Sequence, residues 1–334
     1  MPKSRKTTKK QTTKKRASKP RTLAEVRTKG ELVKGSVAMY LGDCREQLPK
    51  IPEVAEQRVR LVFADPPFNW SRDYDRQKTG HAWDDAMDPD EYLAFTYEWL
   101  DLCVGALTDD GAIWVNIPDT WAAEIVMHLK GRGLEMVNWC VWHYRFGQNT
   151  TGRFINSKVH ALYFCRNPWK RVWNPEPILE VSDRRAIYGD PRTENKRDGM
   201  PAGMRLPMDV WYGQYWGRIQ GNNKERRHGH DNQLPEVYLE RVILACSNAG
   251  DVVLDPFIGS GTTAVVARDH GRHFVGTEFS KDNLDGAFER CKTIGMIRKG
   301  ATAGASTALY PNKRKSPPKG SEKVIEQESL AFEE

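Results

Sequence analysis

The chain has no apolar run long enough to cross a bilayer. Stretches such as Val252-Val253-Leu254 fall far short of the roughly twenty residues that a spanning helix needs. No secretory h-region follows the basic start, so an intracellular, cytoplasmic protein with no membrane partner is expected. Cysteine is sparse. Cys44, Cys103, Cys140, Cys165, Cys246 and Cys291 form no CxxC pair and have no histidine at metal-ligand spacing. That argues against a metal site or a disulfide framework and for reduced, partly buried thiols. Acids are nearly missing from the first 30 positions, which hold 12 Lys/Arg against Glu25 alone. Of a net charge of +7, that segment therefore carries +11 and the remaining 304 residues −4. The basicity belongs to a tail, and the body is mildly acidic. Such asymmetry attracts polyanions, but charge alone does not separate DNA from RNA or from an acidic protein.

Residues 1–34 also lack apolar periodicity. They cannot bury enough surface to offset the entropy of ordering, so a disordered basic arm is expected, holding DNA or simply aiding solubility. Residues 299–334, with Ser316-Pro317-Pro318-Lys319-Gly320, read as a second flexible tail. Between them, over 35–298, short β-branched runs alternate with longer mixed stretches, the pattern of a mostly parallel sheet covered by helices. The candidate strands are Ser36–Leu41, Arg60–Ala64, Ala112–Ile117, Met136–His143, Val159–Cys165, Val252–Asp255 and His273–Thr277. The helical stretches are Asp90–Leu107, Thr120–Lys130, Glu236–Ser247, Thr262–His270 and Lys281–Cys291. The stretch 167–230 is rich in Pro, Gly, Arg, Trp and Asn and has no clear period. It reads as an insert.

Two loops carry chemistry. The first is Leu254-Asp255-Pro256-Phe257-Ile258-Gly259-Ser260-Gly261-Thr262-Thr263-Ala264, running from a strand into a helix. Its glycines let the backbone turn sharply and approach a ligand, and the helix start presents free N–H groups. Glu278 closes the next strand 19 residues after Gly259, where a Rossmann unit keeps its ribose-binding acid. Alone, this loop also fits a nicotinamide dehydrogenase. The second is Leu61-Val62-Phe63-Ala64-Asp65-Pro66-Pro67-Phe68-Asn69. Two prolines without N–H stiffen it and leave their carbonyls facing outward. Asp65 adds a carboxylate acceptor suited to an –NH₂ donor, and Phe68 a face for a base to stack on. Alone, it is equally a strand-end turn with an incidental acid.

Together the two loops resemble the DPP(Y/F) and FxGxG signatures of amino-group DNA methyltransferases, a likeness that spans roughly residues 36–292. Leu41-Gly42-Asp43-Cys44 is similar to the strand end whose acid reaches the cofactor's adenine. Trp83-Asp84-Asp85 and Gly111-Ala112-Ile113-Trp114-Val115 resemble the stretches that usually follow, and Gln233-Leu234-Pro235 the element that walls the methionine end. The catalytic loop precedes the cofactor loop, the order of the β-class. Two residues depart from the pattern: Phe68 stands for the usual Tyr and Leu234 for the usual Lys.

The resemblance implies a circularly permuted, Rossmann-like class I methyltransferase fold with a mostly parallel seven-stranded sheet, helices on both faces and 167–230 as target-recognition insert. It implies S-adenosyl-L-methionine as cofactor, held by Asp43, Gln233, Asp255, Phe257, Gly259, Ser260, Gly261, Thr262 and Glu278. Asp65, Pro66, Pro67 and Phe68 become the catalytic loop, acting on N6 of adenine flipped from a specific double-stranded DNA sequence. Asp65 and the Pro66 carbonyl would accept from the amino group, and Phe68, with Trp70, would stack on the flipped base. Cytosine N4 is the alternative, in enzymes that more often carry Ser in place of Asp65; an RNA or protein amide methyltransferase usually has the unpermuted order. Carbon methylation needs a Pro-Cys nucleophile, and no cysteine here follows a proline. The resemblance also implies nucleoid association, with a second copy of the chain and a cognate restriction endonuclease as possible partners. Within the insert, Arg184, Arg185, Arg192, Arg197, Arg205, Arg218, Lys224, Arg226 and Arg227 interleave with Trp211, Tyr212, Tyr215 and Trp216. The basic residues fit DNA contact, and the aromatics fit a small core as well as they fit DNA.

Deleting residues 2–30 is expected to weaken DNA binding alike for all sequences. The log-affinity versus log-salt slope should flatten by about 0.9 for each phosphate that the arm no longer neutralises, with the methylated site unchanged. Salt titrations on cognate and scrambled duplexes check this, and an unchanged slope would assign the arm to solubility.

Overall fold

The structure, a computed structural model, describes residues 35–71, 83, 85–144, 147, 150–196, 199–213, 216–217, 219, 225–226 and 232–292, with the backbone of 21–23, 27–28 and 32–33. The tail 299–334, most of 1–34, and Asp84, Arg197, Tyr215, Arg218, Lys224 and Arg227 lie outside the described residues.

The seven long strands are β1 (Val37–Leu41), β2 (Val59–Ala64), β3 (Leu107–Ile117), β4 (Glu135–His143), β5 (Lys158–Cys165), β6 (Val252–Asp255) and β7 (His273–Glu278). They lie in the order β1-β7-β6-β2-β3-β5-β4, and only β5 runs against its neighbours. Two short strands complete the nine-stranded sheet: Arg21–Leu23 beside β1 and Val210–Trp211 beside β4. The first falls in the segment expected to lack structure, as do Arg27–Thr28 and Leu32–Val33, which pair with each other. The second draws part of the insert into the sheet, because Trp211 is buried there and Val141 N–H donates to Asp209 O (2.7 Å). β3 starts at Leu107 rather than Ala112, since Leu107 already pairs with Val59.

Side chains alternate across the sheet, so β2 sends Leu61 and Phe63 to one face and Val62 and Ala64 to the other. Five longer helices cover these faces: α1 (Pro89–Ala106), α2 (Asp119–Gly131), α3 (Glu236–Cys246), α4 (Thr262–Asp269) and α5 (Lys281–Lys292). α1 and α2 pack with Val62 and Ala64, and α3, α4 and α5 with Leu61 and Phe63. α1 begins where Asp88 accepts from Asp90 N–H (3.0 Å) and Pro89 fills the first turn, a position where the missing N–H costs nothing. All six cysteines are free and buried.

The strand order creates the site. β2 and β6 are parallel neighbours, yet the chain leaves β2 toward β3 and β6 toward β7, in opposite directions across the sheet. A crevice opens at the carboxyl ends of such a pair, where open α/β sheets bind ligands. Residues 65–71 leave β2 into it and residues 256–261 leave β6 into it.

On the α3–α4–α5 side, helix packing is close at Gly261. It holds φ +77°, and a Cβ there would lie 2.7 Å from the Ala287 Cβ of α5. The absent side chain is thus required by helix packing, whatever the ligand needs. Gly261→Val should cost roughly 2–4 kcal/mol from backbone strain and overpacking together, read as a lower urea midpoint. Loss of cofactor affinity at unchanged stability would contradict this assignment.

Candidate active site

Asp65 is the first residue after β2, half-buried in the crevice. The Asn116 amide, near the end of neighbouring β3, donates to its Oδ1 (3.1 Å). The Tyr238 hydroxyl, from α3, donates in turn to Asn116 Oδ1 (2.6 Å), which fixes which end of the amide faces Asp65. Burial, with the Asp65 charge behind it, raises the Tyr238 phenol well above its ordinary value, so it remains a neutral donor. The sequence pattern missed both residues. The available signal was a polar Asn116 inside the apolar run Ile113-Trp114-Val115-Asn116-Ile117.

The loop carbonyls are not all outward, as the prolines had suggested. The Tyr92 hydroxyl of α1 donates to Pro67 O (2.7 Å), and the Trp121 indole of α2 to Phe68 O (3.0 Å). The Pro66 carbonyl has no hydrogen-bond partner among the described residues. Phe68 lies edge-on to Trp70, with centroids 5.1 Å apart. Beyond it, buried Asp85 takes the N–H groups of Asn69 (2.9 Å) and Trp70 (3.0 Å) on its two carboxylate oxygens. Its carbonyl takes Ser71 N–H (2.7 Å). Asn69 completes the clamp by exchanging two hydrogen bonds with the Met87 backbone. These bonds hold Asn69 and Ser71 at φ 56°, a conformation that costs non-glycine residues energy unless the surroundings enforce it.

Across the crevice, Glu278 ends β7 beside the end of β1, where Gly42 N–H donates to its carbonyl (2.8 Å). Its carboxylate accepts from Gly259 N–H and Ser280 N–H, both at 2.8 Å. Burial pushes that carboxyl up. Asp255 accepts from Phe257 N–H (2.9 Å), and burial pushes it up to about 7, with the charges of Asp65 and Glu278 adding. Asp65, Asp255 and Glu278 thus stand at the carboxyl ends of the adjacent strands β2, β6 and β7. Asp43 lies at the end of β1 and is ion-paired with Arg45 (2.7 Å). Burial would raise it, but the hydrogen bonds and charge of Arg45 outweigh burial and hold it low.

Other candidate side chains turn into the packing. Phe257 rests edge-on to Trp99 (5.0 Å). Thr262 Oγ1 accepts from Arg290 (2.9 Å) and donates to Leu234 O (3.3 Å), while Arg290 also bonds Ser260 O (3.1 Å) and buried Glu236 (2.6 Å). The Gln233 amide donates to Glu225 O (2.6 Å). Phe279, exposed beside Glu278 and edge-on to Trp83, is a further aromatic at the rim that the motifs did not single out. In the insert, Trp211 and Trp216 are buried against Tyr238, a core role. Arg192 and Arg205 pair with Asp190 and with Glu180 and Asp183. No group of His, Cys, Asp or Glu among the described residues could hold a metal ion, and no described helix is long and apolar enough to cross a membrane.

Comparison with known proteins follows the same lines. The model of the N6/N4 methyltransferase family, described as DNA methylase, matches residues 59–289. The Type II methyltransferase M.BamHI of Bacillus amyloliquefaciens is 32% identical over 289 residues, 83% of this chain and 62% of that protein. M.HpaI of Haemophilus parainfluenzae is 30% identical over 248 residues, 74% of this chain and 72% of that protein. Among solved structures, the M1.HpyAVI–SAM complex aligns with a TM-score of 0.53 at 19% identity, covering 77% of this chain and 100% of that one. PvuII DNA methyltransferase (cytosine-N4-specific) aligns at 0.54 and 16%, covering 76% and 86%. At such identities these two speak for the fold alone, which is the class I methyltransferase fold that the motifs implied.

Asn116→Ala and Tyr238→Phe should each lower the turnover rate by about tenfold or more, the scale of one misplaced hydrogen-bonding group in a reacting site. Affinity for the methyl donor, measured by calorimetry, should stay unchanged. Equal losses in rate and donor affinity would make the pair merely structural.

Proposed function

The chain belongs to the N6/N4 DNA methylase family, whose members move a methyl group from S-adenosylmethionine to an exocyclic amino nitrogen, and we propose that its target is N6 of adenine in double-stranded DNA. The observation that carries the choice of base is the carboxylate of Asp65, which accepts from Asn116 and precedes Pro66, whose carbonyl has no hydrogen-bond partner among the described residues. The fold does not choose, since it is shared with a methyltransferase named as cytosine-N4-specific. By resemblance, cytosine amino-methyltransferases more often carry serine at this position.

S-adenosylmethionine supplies a methyl group on a positively charged sulfur. The crevice suits it: carboxyls line it, and the Glu278 carboxylate, which accepts from Gly259 N–H, Ser280 N–H and, at 3.4 Å, the Asn283 amide, would accept from the ribose hydroxyls in place of that long amide contact. Asp43 would flank the adenine end and Asp255 and Ser260 the methionine end, while Phe257, Gln233 and Thr262, whose side chains turn into the packing, would meet it through their backbone. The backbone at Gly259 and Gly261 would close on it. On the other side, Asp65 and the Pro66 carbonyl would accept from the –NH₂ of the base. An amino group conjugated to its ring is a poor nucleophile, and two fixed acceptors localise its lone pair and aim it for an in-line transfer. Catalysis of this kind is positioning and electrostatics, with no covalent enzyme intermediate. Phe68, backed by Trp70, would stack on the extruded base. The insert 167–230 would read the sequence, with exposed Arg184 and Arg185 among the groups able to reach DNA.

The test is to methylate genomic DNA with the protein, digest it to nucleosides and resolve them by mass spectrometry, mapping the site in parallel. N6-methyladenine is expected, and 4-methylcytosine in its place would overturn the choice of base. In the same assay Asp65→Ala should lose at least about a hundredfold in turnover while still binding S-adenosylmethionine.

A further inference from the structure

The connection from β4 to β5 rises from the catalytic end of the sheet, and nothing in the motifs or the mechanism uses it. Ala64, just before Asp65, pairs with Val115, and Val115 with Leu162 of β5. The last pair of the β4–β5 ladder, His143 with Lys158, therefore lies four residues beyond that level. At about 3.3 Å per residue and about 4.8 Å per strand, the hairpin starts on the order of 10 Å beyond the catalytic loop and 10 Å to its side. A duplex that delivers a base to Asp65 must pass it.

The described residues of this connection are held to one another. Tyr144 N–H donates to Ser157 O (2.9 Å) beyond the last strand pair, and the Thr150 hydroxyl closes on Arg153 O (2.5 Å). Gly147 packs so tightly on the opposite arm that a Cβ would collide with Ile155 and the Asn156 carbonyl. In this segment Phe154 is 97% exposed, with exposed Thr150, Thr151, Arg153 and Asn156 near it along the chain. Trp169 is 94% exposed as well, but it follows Cys165, whose partner Ala112 is at the other end of the sheet. The two aromatics differ in place, not in exposure.

Turning a base out of a duplex leaves a gap in the stack and costs unpairing and unstacking energy. Apolar side chains such as Phe, inserted between base steps, are a known means of opening a stack. We propose that Phe154 enters the DNA stack as the target base turns out toward Asp65, with Arg153 and the neighbouring hydroxyls and amide holding phosphates. The inference rests on the DNA methyltransferase reading, and holds for either base.

The test uses full-length protein and two oligonucleotide duplexes bearing the mapped site: one with the target base paired, one with it opposite an abasic site. On the paired duplex Phe154→Ala should lower kcat/KM roughly ten- to a hundredfold, with Phe154→Leu close to wild type and Trp169→Ala without effect. On the abasic duplex, where no pair must be broken, Phe154→Ala should approach wild type. 2-Aminopurine at the target position should brighten with wild type and much less with Phe154→Ala. Equal losses on both duplexes, or no loss on either, would overturn the proposal. So would a loss that tracks a change in sedimentation, which would make the hairpin an interface between copies of this chain. Wild type inactive on both duplexes would sink the methyltransferase reading itself, whereas an active wild type matched by Phe154→Ala would sink only the wedge.

Discussion

The parallel pairing of β2 with β6 is the constraint on which the rest depends. Because the chain leaves these neighbours in opposite directions, no connection crosses between their carboxyl ends, and the helices that follow diverge. The gap is where two loops, nearly 190 residues apart in sequence, come to face one another. Asp65, Asp255 and Glu278, at the carboxyl ends of the adjacent strands β2, β6 and β7, mark that convergence. Each loop is then held by donors from the helical layer beside it: Tyr92 and Trp121 grip one from α1 and α2, and Arg290 of α5 grips the other.

α3 joins the Asp65 loop to the insert. One turn separates Tyr238, which supports Asp65 through Asn116, from Arg241. The Arg241 guanidinium lies 4.2 Å over Trp216 and pairs with Glu180 at 3.1 Å. Burial pulls the guanidinium down to about 10, against the opposing charge of Glu180, and it stays charged at neutral pH. The rings of Trp211 and Trp216 close over Tyr238 from the insert side. The segment proposed to read DNA and the hydroxyl that orients Asp65 through Asn116 thus share one packed surface, and a shift in one is felt by the other because dense interiors transmit strain.

Much of this was legible in the chain itself. Every expected long strand and helix is present within a few residues, because alternation and helical periodicity report which face of an element is buried. The strand–loop–helix context, the 19-residue spacing from Gly259 to Glu278 and the rigid Asp65-Pro66-Pro67-Phe68 loop are local features, and local features survive in sequence. The start of β3 was missed because Leu107 pairs with Val59 across a register shift, which no window along the chain contains.

What the tertiary structure decided is the set of partners. Asn116 and Tyr238 are 122 residues apart, and their link to Asp65 exists only because β3 lies beside β2 and α3 lies over both. The same order turns the Pro67 carbonyl toward Tyr92 and leaves that of Pro66 without a hydrogen-bond partner among the described residues. It sets Gly261 against Ala287, draws Trp211 into the sheet, and carries Phe154 to the Asp65 end of the sheet while Trp169 goes to the other. Residue type and spacing determined which groups are available for chemistry here; strand order, which pairs residues by distance in space, decided which of them meet.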